Sequence, residues 1–521
     1  MRVFADLLDR LAVTPGDASR LVLLERHFRG VPDLGRGFAL AALTGGMARR
    51  PVTPALLKAL VAERVDDELF ALSLGFVGDL AETVALVWPG RAERAVTLEE
   101  VVEGLAGAGK AELPGLLAGW LDALDPVARL ALLRLAGGLK PPVPVPLVLA
   151  GLARAGGVPV EAVQEYWSGL SPPYRSLFRW LDGGPPPRVT APARFRPMML
   201  PAIAAHEDLA GRDPAAYAAE WKQDGFRVLA VAEAGRARLY SRMGEDISAA
   251  FPDIVSLMCF DGALDGVLMV RRDGLVAPVT ELHKRLGRKA PGRALLASHP
   301  AALRFHDMLI WQGEDLRMRP WSQRRARLEA AVVELAEPRF DLSRRLDFAD
   351  WQALAALRAD PPGAGIGGVV LKRRASPYVA GRPTGDWLVC PRDARTVRAV
   401  LLYAQRGQDM HAGFHAELTV GLWQGEALVP VGKAIAELDD SERERLDAFV
   451  RANTVERFGP VRSVVPSLVV TLAFEGLDRS TRHKSGLVLR APRIAGILWD
   501  QPAAGAETLG ALTRLLPGAG A

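Results

Sequence analysis

Phe4, Leu7, Leu8 and Leu11 stand at i, i+3, i+4 and i+7, the spacing that lines one face of an α-helix with apolar side chains. Leu56, Leu57, Leu60 and Val61 follow Thr53-Pro54, where the hydroxyl suits an N-cap and the proline suits a first helical position that needs no N–H. Thr97 followed by Glu100 reads as a capping box ahead of Val101, Val102 and Leu105. Residues 1–183 therefore predict an all-helical N-terminal domain. Gly183-Gly184-Pro185-Pro186-Pro187 breaks the period, so 184–196 predicts a Pro/Gly-rich linker.

Beyond 197 the pattern becomes mixed. Arg227–Val231 and Ala237–Ser241 predict strands around a Glu233-Ala234-Gly235 turn, Arg324–Ala336 a helix, and Gly368–Lys372 a short buried strand. These place a mixed α/β domain over 197–392. Further on, Leu418–Trp423 and Ala427–Val431 flank Gln424-Gly425-Glu426, a hairpin pattern. Ser441 with Glu444 predicts a capped helix carrying Leu446, Phe449 and Val450, and strands are expected at Leu468–Phe474 and Gly486–Leu489. A small β-barrel of OB-fold size over 393–505 and a tail over 506–521 complete a multi-domain α+β protein.

Composition narrows the class. Hydrophobic residues make up 49% and charged residues 24%, as in globular proteins rather than disordered or fibrous ones. A net charge of +5 and a pI near 9.3 suit a nucleic-acid partner without requiring one. Cys259 and Cys390 form no CxxC pair, which fits a reducing cytoplasm. An acidic residue at Asp6 argues against a signal peptide, and the absence of a run of about 18 apolar residues argues against a membrane span.

The chemistry concentrates in Glu220-Trp221-Lys222-Gln223-Asp224-Gly225-Phe226-Arg227, followed by Ser241-Arg242-Met243-Gly244. Lys-x-Asp-Gly with Arg beyond it and Ser-Arg-x-Gly after a hairpin resembles the nucleotide-attachment site of ATP-dependent DNA ligases, closest to bacterial ones with a helical N-terminal domain. Gly78–Val84, Leu371–Tyr378, Thr454–Arg462 and Arg482–Gly486 extend the resemblance over nearly the whole chain. It implies a helical DNA-binding domain, a nucleotidyltransferase domain and an OB-fold, with ATP and Mg²⁺ as cofactors and duplex or nicked DNA as partner.

The resemblance also implies roles. Lys222 would carry AMP, an amine attack that needs a neutral lysine. Asp224, Gly225, Arg227, His306 and Lys372 would meet the nucleotide, His306 standing where an aromatic stacks on adenine. Arg242 would engage the DNA 5′-phosphate, with Arg373, Arg374, Arg482 and Lys484 as further phosphate contacts. Asp265 would be the remaining metal ligand.

Several positions depart from the pattern. Val267 and Gly367 stand where glutamates are expected, and neither offers the hard oxygen that Mg²⁺ requires. Val389 and Pro391 replace two lysines of a W-x-K-x-K arrangement beginning at Trp387, with Arg392 and Lys372 as candidate substitutes. Leu498 and Gln501 replace the Arg and Lys of R-x-D-K. After Gly137-Gly138-Leu139-Lys140 the chain continues Pro141-Pro142-Val143-Pro144-Val145-Pro146, which removes N–H donors from a turn the family lays on the DNA backbone. Because one preorganised electrostatic contact is worth about 10²–10³-fold in rate, these departures predict weak or absent ligation in a nick-binding repair protein, which is expected to be a cytoplasmic monomer with a repair protein as a candidate partner. A working ligase whose substitutions are covered by other residues is the alternative.

Two lookalikes carry less. Gly104–Ala111 matches GxxxxGK but ends in alanine and follows a helical pattern rather than a strand. His411, His415 and Glu417 lack the helical i, i+4 presentation of a metal pair.

Overall fold

The computed structural model describes residues 1–47, 52–90, 94–205, 207–288, 290–363, 365–406, 415–436 and 438–516. It divides into two compact units, Met1–Pro197 and Met198–Ala521.

The first unit is helical, with twelve α-helices among its described residues, from Arg2–Val13 to Arg175–Leu181. The stripe on the first helix is its core face: Phe4, Leu7, Leu8 and Leu11 are all buried, each contributing about 1.5–3 kcal/mol by leaving water. Thr53 caps Pro54–Ala62 by accepting from Leu56 N. Only half of the expected capping box forms. Thr97 accepts from Glu100 N, while the Glu100 carboxylate takes Arg94 and the Trp120 indole. The buried Arg129 guanidinium donates to the carbonyls of Leu121, Trp88 and Gly90, joining its helix to the preceding connection.

Residues 184–196 lie within this first unit, where Arg194 donates to the carbonyl of Glu165. The Pro-rich stretch connects helices Pro126–Gly138 and Val145–Gly156. Helix Leu98–Gly107 precedes Gly109-Lys110, so the GxxxxGK lookalike lacks the strand a P-loop needs. Among the described residues no single helix is long and apolar enough to cross a membrane.

The second unit begins with two facing sheets. The longer strands are β1 (Tyr217–Gln223), β2 (Phe226–Glu233), β3 (Arg236–Ser241), β4 (Gly262–Arg272), β5 (Ala301–Trp311), β6 (Ile366–Arg373) and β7 (Trp387–Pro391). One sheet runs β7-β6-β1, extended at its edges by Ala202–Ile203 and Arg345–Leu346; the other runs β3-β2-β4-β5. The chain passes from one sheet to the other between β1 and β2, at Asp224-Gly225. A Cβ on Gly225 would lie 2.4 Å from Val267 Cγ1 and 2.6 Å from Leu268 O, so this crossing needs glycine. Ala234 and Gly235 both take positive φ in the β2–β3 turn, the conformation that matches the twist of a two-residue hairpin. The expected helix runs Trp321–Leu335 and closes on Ala336 in the left-handed conformation.

The remainder carries β8 (Arg395–Arg406), β9 (His415–Gln424), β10 (Ala427–Ala436), β11 (Val469–Phe474), β12 (Gly476–Arg479), β13 (Leu487–Arg490) and β14 (Arg493–Leu498). The twelve-residue β8 pairs with both β9 and β11, and β9-β10-β14-β11 completes a closed ring of five strands. Leu401, Leu418, Val420, Val470 and Leu472 fill it. The helix beside it runs Asp440–Ala452, and its cap is Asp439 rather than Ser441. Asp439 accepts from Glu442 N and from the Ser441 hydroxyl, because a carboxylate two residues earlier reaches the exposed amides first. His411 lies outside the described residues.

Candidate active site

A cavity of about 1090 Å³ opens between the two facing sheets. β1 brings Lys222 to its wall, β2 Arg227, β4 Val267, β5 Arg304 and His306, β6 Lys372, and β7 Trp387 and Val389. The β2–β3 hairpin brings Arg242 to the same space, as the spacing of Lys-x-Asp-Gly and Ser-Arg-x-Gly requires.

Lys222 is half-buried at the end of β1 and has no hydrogen-bond or ion-pair partner among the described residues. The segment around it is held from both sides. Gln223 donates to Gly365 O and accepts from Arg304, while Asp224 N also donates to Gly365 O. Asp224 Oδ2 accepts from Arg490 Nη1 at 2.8 Å, which ties β13, the strand paired with β12, to the Lys-x-Asp-Gly turn.

Gly367 faces the lysine. A Cβ built there would lie 2.9 Å from Lys222 Nζ and 2.9 Å from Asp224 Oδ1, so any side chain at 367 would meet the amine. Val267 stands in register between Arg227 and Arg304, and all three line the cavity. A carboxylate at 267 would therefore lie between two guanidinium groups. In its absence Arg304 is held by Asp341 and Arg227 by Asp265.

Asp265 does not present a carboxylate to a metal. It is fully buried, accepts from Arg227 Nε at 3.0 Å and Nη2 at 2.5 Å, and accepts from the Tyr378 hydroxyl at 2.6 Å. Burial works against the Arg227 charge, but Asp265 more than offsets it and the guanidinium stays protonated, its pKa raised. Burial and Asp265 push the Tyr378 hydroxyl well above its ordinary range. Among the described residues no three His, Cys, Asp or Glu side chains are grouped to hold a metal. With Val267 and Gly367 lacking oxygens, the residues at these positions do not fit a protein-held Mg²⁺.

Lys372 also has neighbours other than the expected nucleotide. It is 1% exposed, pairs with Glu220 at 3.0 Å, donates to His306 O at 2.7 Å, and lies 4.5 Å from the Trp387 ring centroid. Burial lowers its pKa against the pull of Glu220. Glu220 further accepts from Arg325 and the Ser343 hydroxyl, so this buried network is internally satisfied. His306 sits edge-on to Trp387 with its Nδ1 buried and unpartnered among the described residues. Burial, then Lys372 and Arg227, drive its pKa well below 6.5, so the ring is neutral.

The remaining expected phosphate contacts are exposed and dispersed. Arg373 ends β6 within 3.9 Å of Asp386, Arg374 donates to Ala215 O, and Arg482 and Lys484 lie in the loop between β12 and β13. Tyr378 falls inside the Leu371–Tyr378 motif, yet only the fold reveals its bond to Asp265. Arg304, Arg325 and Arg490 belong to no motif, and no sequence pattern pairs them with residues 81, 105 and 266 positions away.

Residues 197–389, which hold all of this geometry from β1 to Val389, match the family described as the ATP dependent DNA ligase domain. A probable DNA ligase of Anaeromyxobacter sp. (strain Fw109-5) is 33% identical over 432 residues, spanning 79% of this chain and 80% of that protein. A probable DNA ligase of Streptomyces avermitilis is 29% identical over 537 residues, spanning 97% of each. The solved structure named Pmar-Lig_PreS3 aligns over 95% of this chain and 99% of its own, with a TM-score of 0.52 at 13% identity, a likeness of fold alone. Matched in sequence over most of its length by such relatives, and carrying Lys222 in a cleft between two sheets, the chain belongs to the ATP-dependent DNA ligase family.

Proposed function

We propose that this protein binds nicked or duplex DNA in repair as a ligase-family clamp, and that it seals nicks poorly or not at all. The observation that carries the reading is Gly367: a Cβ there would lie 2.9 Å from the Lys222 amine, and the chain offers no carboxylate at that position. Val267, Val389 and Pro391 remove further charge from the same region, and such losses act together rather than singly. The family implies ATP and a divalent metal; the cavity suits a nucleotide, while the metal positions do not suit a protein-held ion.

In this reading residues 197–392 form the nucleotidyltransferase domain, the closed ring of β8, β9, β10, β14 and β11 is an OB-fold within 393–505, and Arg242, Arg373, Arg374, Arg482 and Lys484 track phosphates. The protein acts as a cytoplasmic monomer. The unpartnered Lys222 favours a second reading, in which AMP transfer or full ligation survives.

The test is AMP transfer from α-labelled ATP, run beside sealing of a nicked duplex and binding of the same duplex. Weak or absent label that vanishes in Lys222→Ala, no sealing, and salt-dependent DNA binding support the proposal. Sealing at ordinary enzyme rates overturns it, and absence of DNA binding at low salt overturns the clamp role.

A further inference from the structure

We infer that Arg288 and Arg382 are phosphate-binding residues of the cavity, taking the polyphosphate of a nucleoside triphosphate without a protein-held metal. The inference rests on the cavity being a nucleotide site, and deepens that reading.

Three cations of the cavity are already neutralised. Arg227 pairs with Asp265, Arg304 with Asp341 and Lys372 with Glu220. Four others, Lys222, Arg242, Arg288 and Arg382, line the same space with no carboxylate partner among the described residues. Of the lining carboxylates, Asp224 is taken by Arg490 and Asp246 by Arg238, which leaves Glu245 without a cation among the described residues. The balance is an excess of positive charge facing an open cleft, the condition that attracts a polyanion.

The two arginines sit on built supports. Arg285 is fully buried, donating to the carbonyls of Ala250 and His299 and pairing with Asp253, and so fixes the turn that ends in Arg288. Arg288 Nε donates to Lys284 O at 3.0 Å, which orients the guanidinium and leaves its two terminal nitrogens for a ligand. Arg382 follows Gly381, whose carbonyl accepts from Leu200 N at 2.6 Å and whose N–H donates to Met198 O at 3.1 Å. Leu200 itself lines the cavity, and the neighbouring Met199 carbonyl accepts from Arg227. Guanidinium forks match phosphate oxygens bidentately and stay charged at any working pH. They supply here the positive charge that Val389 and Pro391 do not.

The experiment measures equilibrium binding of ATP and adenosine to the full chain in EDTA. The variants are Arg288→Ala, Arg382→Ala and their double, with the exposed Arg236→Ala outside the cavity as a control for net charge. ATP should bind in EDTA more tightly than adenosine and be displaced by inorganic tripolyphosphate. Each cavity variant should weaken ATP about tenfold, as for a hydrogen bond to a charged group, and leave adenosine and Arg236→Ala unchanged. ATP binding that requires added Mg²⁺, or equal affinity in wild type and the double variant, overturns the inference. These results are separable from the DNA-clamp proposal, which is decided by sealing and DNA binding of the wild type.

Discussion

Replacing Asp265 by asparagine tests whether this carboxylate anchors Arg227 or serves a metal. The side chain keeps its size and loses its charge. Asp265 is fully buried and Arg227 has a side-chain exposure of 16%, so water cannot replace what is lost. Asparagine retains one acceptor oxygen but presents an amide to a guanidinium that donated to both carboxylate oxygens. Leaving a buried charge without its partner costs about 3–5 kcal/mol. Arg227 still reaches Met199 O at 2.6 Å and lies 5.5 Å from the Trp387 ring centroid, which argues for the lower part of that range. Urea unfolding of the second unit, followed by tryptophan fluorescence with and without Mg²⁺, reads the result. The expected loss is about 3 kcal/mol, the same in both conditions, and Tyr378→Phe should be non-additive with it because the two side chains share a bond. A loss below about 1 kcal/mol, the scale of an exposed pair, or a wild-type stabilisation by Mg²⁺ that Asp265→Asn abolishes, would refute the reasoning.

Gly367→Glu should fold like wild type, because its Cβ meets only the ends of the Lys222 and Asp224 side chains, whereas Gly368→Ala should unfold at clearly lower urea: φ is +129° there and a Cβ would lie 2.3 Å from Cys390 O. Combined with Val267→Glu, Val389→Lys and Pro391→Lys, Gly367→Glu should raise Mg²⁺-dependent AMP transfer onto Lys222, and a folded combined variant with no gain would count against missing charge as the defect. Burial lowers His27 to about 4 from 6.5, so the unfolded chain takes the proton first. Stability of the first unit is then complete above pH 6.5 and falls as pH drops towards 4, by about 3 kcal/mol in all; His27→Leu should flatten that part of the unfolding profile. Arg490→Ala should cost about 1 kcal/mol or less, since the pair is part-exposed, yet should speed amide exchange at the Lys-x-Asp-Gly turn.

Local patterns carried much of this protein. The apolar stripe of Phe4, Leu7, Leu8 and Leu11, the Thr53 cap and the hairpin around Ala234-Gly235 rest on contacts within a few residues, so composition and spacing determine them. Lys-x-Asp-Gly marks the crossing between the two sheets, where glycine is required at 225 because Val267 and Leu268 of β4 pack against it. Capping was legible only in part: Glu100 turned to Arg94 and Trp120, and Asp439 displaced Ser441, since several oxygens compete for one exposed amide. Charge pairing was decided by the tertiary structure alone. Asp265 with Arg227, Lys372 with Glu220 and Asp224 with Arg490 join residues 38, 152 and 266 positions apart. A sequence shows which side chains carry charge, but burial and partner are properties of the folded neighbourhood, and these determine whether a carboxylate can meet a metal or a lysine a phosphate.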